Sequence, residues 1–169
     1  MSLPAKLYWI EGPWRGKLVL AARPRGGEWL RDDVQDWKTA GVDAVLSLLT
    51  TQEEREFEIQ NERAEVRKQE MQFMSFPIPD MEVPASQSEL AAELEVVDRA
   101  LNAGKNVLVH CRQGIGRTGL VAGCLLVSRG ISPETAMRKI SAARGVPVPE
   151  TEAQRSWIEH YAAVLPGKK

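Results

Sequence analysis

Cys111 and Arg117 stand five residues apart, across Arg112-Gln113-Gly114-Ile115-Gly116, directly after the apolar run Val107-Leu108-Val109 and His110. A cysteine and an arginine at this spacing can perform phosphate chemistry. A phosphate monoester dianion repels nucleophiles, so a site that attacks it must surround its oxygens with donors while presenting a thiolate. A loop containing Gly114, Gly116 and Gly119 lets successive backbone N–H groups turn inward as an anion nest. A helix starting near Arg117 aims its positive end at the same point. Arg117 can then grip two phosphate oxygens bidentately, which lysine cannot do. The same surroundings are expected to lower the thiol pKa of Cys111 below the free value of about 8.5. Thr118 is placed to donate a hydroxyl hydrogen bond to the sulfur. His110 is expected to order the loop through hydrogen bonds without transferring protons. Arg112, Gln113, Gly114, Ile115 and Gly116 supply loop amides, and the Arg112 side chain is placed to face a substrate.

The same stretch also spells G-x-G-x-x-G, as Gly114-Ile115-Gly116-Arg117-Thr118-Gly119. A dinucleotide fold requires a further strand about twenty residues on, ending in an acidic residue for the ribose. Glu134 is near that spacing, but Ser132-Pro133 marks it as the first turn of a helix. No strand candidate follows Val109. The glycines therefore read as close approach to phosphate, and the cysteine reading accounts for more residues.

The elements that must position this loop alternate between strand and helix patterns. Strand candidates are Leu7–Ile10, Lys17–Ala21, Val42–Leu49, Met71–Ile78 and Val107–Val109. A short helix carries Trp29, Leu30, Val34 and Trp37 and closes at Gly41. Thr51-Gln52-Glu53-Glu54 resembles a capping box opening a charged helix to about Gln69, whose mixed Glu and Arg residues predict a solvated face. Ser86–Glu89 opens a helix with Leu90, Leu94, Val97 and Leu101 on one stripe, and Gly104 ends it. Helices follow at about Arg117–Arg129, at Ser132-Pro133 to about Ala143, and at Thr151–Val164. This order predicts a single α/β domain over residues 1–169, with a mainly parallel central sheet of four to five strands and helices on both faces.

Composition narrows the class. The 169 residues are 43% hydrophobic and 27% charged, with a formal net charge of -1, as in an ordinary globular domain. This balance predicts no general attraction to nucleic acid or an anionic membrane. The N-terminal MSLPAKLYWIEGPW lacks a signal-peptide pattern, and no apolar run approaches membrane-spanning length. The two cysteines predict a reducing, cytoplasmic setting, and the absence of metal-ligand spacing argues against structural zinc. Cys124 reads as a small core residue on an apolar helix face, with a protective disulfide to Cys111 as the alternative. Trp9, Trp14 and Trp37 read as core, with Trp29 flanking the site.

His110-Cys111 to Arg117-Thr118 resembles the signature of the cysteine-dependent protein tyrosine phosphatase superfamily, H-C-x5-R followed by Ser or Thr. Within it, the chain is similar to the compact dual-specificity phosphatases of the kinase-associated phosphatase type. The likeness is carried by Ala22–Gly27 with Trp29-Leu30, by Phe76–Pro84, by His110–Leu126, and by Glu150–Ile158 with Gln154. It implies a phosphocysteine mechanism with no metal or organic cofactor, and phosphate, sulfate or vanadate held in the loop. It also implies a general acid on a mobile loop before the cysteine. Asp80, thirty-one residues upstream between Pro79 and Pro84, fills that role, with Glu82 as its rival.

Arg23 and Arg25 form either a positive lip for acidic phosphopeptides or salt-bridged surface arginines. Gln154 either caps its helix or orients the hydrolytic water. The implied substrate is a phosphorylated protein or peptide, without nucleic acid or membrane. A phosphoinositide or RNA 5′-phosphate substrate is the rival within the class, although this loop lacks the lysines of lipid-directed relatives. A non-catalytic phosphoprotein-binding module is the rival from another class, although cysteine and acid are both present.

Overall fold

The apolar runs form five strands in the computed structural model, which describes residues 3–165. They are β1 (Tyr8–Ile10), β2 (Leu18–Ala22), β3 (Ala44–Ser47), β4 (Gln72–Ser75) and β5 (Val107–Cys111), and they make one sheet ordered β1-β2-β5-β3-β4. β1 runs antiparallel to β2, and every other pairing is parallel. The strand that ends in Cys111 is therefore central. Register pairs Ala22 of β2 with Cys111, and Ser47 of β3 with His110.

Seven helices cover the sheet: α1 (Leu30–Ala40), α2 (Thr51–Glu56), α3 (Glu62–Lys68), α4 (Gln87–Asn102), α5 (Gly116–Ser128), α6 (Pro133–Arg144) and α7 (Glu152–Ala163). The period-two alternation of the strands decides which core each residue joins. Leu18, Leu20, Val107, Val109 and Cys111 join the core built with α4 to α7, whereas Val19, Ala21, Val45 and Leu108 join the core with α1 and α3. Helices thus lie on both faces of a mainly parallel sheet, as the strand–helix alternation predicts.

Helix ends follow local chemistry. Gly41 and Gly145 close α1 and α6 in the left-handed region, and Ser132 and Pro133 open α6. Thr151 and Gln154 form a reciprocal capping box on α7. Ser86 caps α4 by accepting from Glu89 N, without the reciprocal bond.

The predicted helix from Thr51 to Gln69 is instead two short ones. The box is set one residue earlier, with Thr50 as cap and Glu53 as its partner. The chain then breaks at Phe57, with Glu58 left-handed at φ 57°. A tertiary bond favours this break: Gly27 N–H donates to the Glu58 carbonyl, and Gly26 lies so close to the Phe57 carbonyl that a Cβ would be 1.8 Å from it. Trp14 and Trp37 are core as expected, but Trp9 on the edge strand β1 is exposed.

α5 is the most apolar helix and packs on both α6 and α7. Its close approach depends on small residues. A Cβ on Gly119 would lie 2.1 Å from Val148 Cγ1, and one on Gly123 would lie 2.7 Å from Ile158 Cδ1. Gly119 is thus a packing glycine in the helix, where its N–H donates to the Ile115 carbonyl; it is not one of the loop donors expected from the sequence. Gly119→Ala should lower unfolding stability by about 1–3 kcal/mol through overpacking, measured by urea denaturation. An unchanged midpoint would contradict this packing role.

Candidate active site

The loop between β5 and α5 sits at the C-terminal edge of the parallel strands, where ligand sites of open α/β sheets form. Gly114 has φ 75°, and a Cβ there would meet the Ala21 carbonyl carbon and oxygen at 2.6 Å. Only glycine fits this turn. Gly116 opens α5 facing Glu150 and Gln154, both of which a Cβ would meet at 3.1 Å. Arg144, at the end of α6, donates to the carbonyls of Gln113 and Gly114 at 3.0 and 3.3 Å. Those carbonyls are thereby held by a cation from behind. The resulting small cleft is lined by Cys111, Arg112, Gln113, Gly116, Arg117, Asp80, Met81, Glu150 and Gln154.

Arg117 is 2% exposed, and its guanidinium is held on several sides. It donates to both carboxylate oxygens of Glu53 at 2.8 and 2.9 Å, to the Ile78 carbonyl at 2.7 Å, and to Asp80 Oδ1 at 3.0 Å. Burial alone would lower its pKa, but the bonds to Glu53 and the charges of Cys111, Glu53 and Asp80 outweigh this and raise it. Arg117 is thus a fixed cation facing the cysteine. Glu53 is the partner that sequence reading assigned to a solvated face. The one-residue shift of the capping box brings Glu53 inward, where its carboxylate also accepts from Thr50 N–H.

His110 and Cys111 point to opposite faces of β5. The His110 ring is fully buried, tilted against Trp37 with centroids 5.8 Å apart, and its Nε2 pairs with Glu62 Oε2 at the start of α3. It therefore anchors the strand below the loop, and the loop hydrogen bond expected for it is replaced by this pair. Glu62, too, was expected in solvent.

The Phe76–Pro84 loop, expected to carry the acid, brings Asp80 and Met81 to the cleft. Ile78 N–H donates to Leu48 O at one end, and Gln154 Nε2 donates to Glu82 O at the other, 3.3 Å. Between them Glu82 N–H closes a turn on the Pro79 carbonyl, with Met81 at φ 67°. Asp80 faces both Arg117 and Arg112 Nη1, the latter at 3.4 Å, and keeps 41% of its side chain exposed. Glu82 does not line the cleft; its carbonyl is used by Gln154. Gln154 caps α7, as one of the two readings has it, ties the Asp80 loop through Glu82 O, and lines the cleft.

Thr118 departs from expectation. α5 already begins at Gly116, so helix packing sets the Thr118 side-chain direction, and its buried hydroxyl bonds to no described residue. The expected contact to the Cys111 sulfur is absent. Arg25 is an ion-paired arginine, bound to Asp33 at 2.7 Å and lying over the Trp29 ring, so it forms no open lip. Cys111 and Cys124 are both free thiols, and burial pushes the Cys124 thiol well above its ordinary value. No helix among the described residues is long and apolar enough to cross a membrane.

A central parallel strand ending in cysteine, a glycine turn, a buried arginine and an opposed aspartate define a cysteine-dependent phosphate-loop protein. The family model Tc-R-P, polymorphic toxin system, DSP-PTPase phosphatase, matches residues 19–131, and the chain belongs to that phosphatase family. Cyclin-dependent kinase inhibitor 3 of Sus scrofa is 29% identical over 136 residues, covering 78% of this chain and 63% of that protein. Receptor-type tyrosine-protein phosphatase V of Rattus norvegicus is 38% identical over 85 residues, 47% of this chain and 5% of that protein. The chain thus spans under two thirds of these curated relatives. A crystal structure of kinase associated phosphatase, its catalytic-site cysteine replaced by serine, superimposes with a TM-score of 0.90 over 99% of both chains at 22% identity, showing the same fold.

Burial raises the Glu53 pKa, but its bonds with Arg117 and Thr50 prevail and hold it below the ordinary 4.5. A depressed carboxylate stabilises the fold above its unfolded pKa, and that contribution is lost as pH falls through the folded value. Glu53→Ala, which leaves Arg117 short of a partner, should cost about 3 kcal/mol near neutral pH. Urea titrations should show this difference shrinking as pH drops below 4.5; a pH-independent difference would contradict the ionic role.

Proposed function

We propose that this chain hydrolyses phosphomonoesters through a phosphocysteine intermediate, acting on phosphotyrosine in proteins and also on phosphoserine or phosphothreonine. The observation that carries the proposal is one cleft in which Arg117 faces Cys111 and lies 3.0 Å from Asp80. Cys111 Sγ attacks phosphorus, and the oxygen leaving group takes a proton from Asp80. The loop amides and Arg117 stabilise charge on the phosphoryl oxygens as it develops. Glu53 keeps the guanidinium fixed, so little reorganisation accompanies the reaction. Asp80, now a carboxylate, then takes a proton from the water that cleaves the S–P bond, releasing phosphate and restoring the thiolate.

The acid sits on a loop held at Ile78 and Glu82, which supports Asp80 over Glu82 as the proton donor. Two free thiols fit a reducing compartment, and we place the protein in the cytoplasm on that ground.

Hydrolysis of p-nitrophenyl phosphate tests the mechanism. Cys111→Ser should lose at least about 10³-fold in kcat, since the nucleophile itself is removed. Asp80→Asn should lose about 10²-fold, together with the dependence of kcat on a protonated acid. Activity that survives the loss of Cys111 would refute the mechanism. Near-normal turnover in Asp80→Asn, with Glu82→Gln impaired, would transfer the acid role to Glu82.

A further inference from the structure

The sheet register brings Arg23 beside Arg112, which lines the cleft. Ala22 is the last residue of β2 and pairs with Cys111, the last residue of β5. The next residue on each strand is an arginine, and Arg23 N–H donates to the Arg112 carbonyl at 3.4 Å. Both side chains lie against one ring: the Arg23 guanidinium carbon is 4.0 Å from the Phe57 centroid and that of Arg112 is 5.5 Å away. The ring is delivered there by the break between α2 and α3, which Gly26 and Gly27 hold against the Phe57 and Glu58 carbonyls.

This pair has little counter-charge. Arg23 donates to the Pro24 carbonyl at 3.0 Å and makes no ion pair with any described residue. Arg112 is half exposed, and its one carboxylate is Asp80, at 3.4 Å. Burial and the neighbouring Arg112 together push the Arg23 pKa down, with Glu56 opposing them only in part. Two guanidiniums held against one aromatic ring, one of them adjoining Cys111, are suited to a dianion. The remaining cleft lining adds no further cation beyond Arg117, and Glu150 contributes a carboxylate. An anion beside the scissile phosphate is therefore favoured on the Arg23–Arg112 side.

We propose that Arg23, Arg112 and the Phe57 ring form a second anion subsite that takes a phosphate on a phosphopeptide next to the one being hydrolysed. The subsite rests on the phosphatase reading for its role in turnover, but its binding chemistry can be measured without catalysis. A dianionic second phosphate engages both arginines, whereas a single flanking carboxylate carries half the charge and gains less.

The test compares synthetic phosphotyrosine peptides with a second phosphorylated residue, with glutamate at that position, or with neither. The doubly phosphorylated peptide should have a kcat/KM about tenfold above the singly phosphorylated one, as charged hydrogen bonds to a partly exposed pair provide. The glutamate peptide should fall between them. Arg23→Gln should reduce the tenfold ratio to about twofold, Arg23→Lys should keep most of it, and salt should diminish it in the wild type. Equal rates on the three peptides, or an unchanged ratio in Arg23→Gln, would overturn the subsite.

Calorimetric binding of the same peptides to Cys111→Ser separates the two readings. A preserved preference there, with no p-nitrophenyl phosphate hydrolysis by wild type, sinks the catalytic reading and leaves the subsite standing. Vesicles containing a bisphosphorylated inositol lipid form the last arm. Binding to them that depends on Arg23, with no effect of Arg23 on the peptides, would reject the peptide assignment.

Discussion

The bidentate pair between Arg117 and Glu53 is the interaction on which the site depends. A guanidinium sealed from water must be compensated inside the protein, and its partners come from two separate parts of the chain. Glu53 arrives on α2, the Ile78 carbonyl and Asp80 arrive on the acid loop, and Arg117 itself belongs to α5. One buried charge thereby holds together the helix that orients it, the loop that carries Asp80, and the helix that follows Cys111. The arrangement also explains why the cation is arginine: its two terminal nitrogens satisfy Glu53 in one plane while still reaching Asp80, which a single ammonium point cannot do.

The phosphate loop was legible in sequence because its chemistry is local. Cysteine, glycine turn, arginine and helix start occupy consecutive positions, and Gly114 does need its left-handed conformation. The place of Asp80 in the cleft was legible through the proline-bounded loop and its likeness to a known family. The alternation of strands and helices was legible as well, down to the glycine and Ser-Pro boundaries of α1 and α6.

What escaped were residues whose meaning is tertiary. Glu53 and Glu62 sit in a run of mixed charge that looks solvated, yet their partners lie 64 and 48 residues away. A box read one residue late, at Thr51 in place of Thr50, was enough to turn Glu53 outward. Phe57 gave no signal because an uninterrupted charge pattern hides a break made by a contact with Gly26 and Gly27. Thr118 erred in the opposite direction: its spacing suggested a hydrogen bond to the sulfur, yet its buried hydroxyl bonds to no described residue. Arg144 could have been suspected only from its place at a helix end, and nothing in its neighbourhood pointed to the loop it supports.

The peptide unit joining His110 to Cys111 has one further consequence. One side chain is fastened to Trp37 and Glu62 in the α1–α3 layer, and the other belongs to the α4–α7 layer. The two hydrophobic interiors alternate along strands β2 to β5, and at this joint the residue on one side is the cysteine of the cleft. A shift of either interior at this joint therefore reaches the sulfur within one residue. An α1–α3 layer borrowed from a relative would have to seat this histidine as Trp37 and Glu62 do.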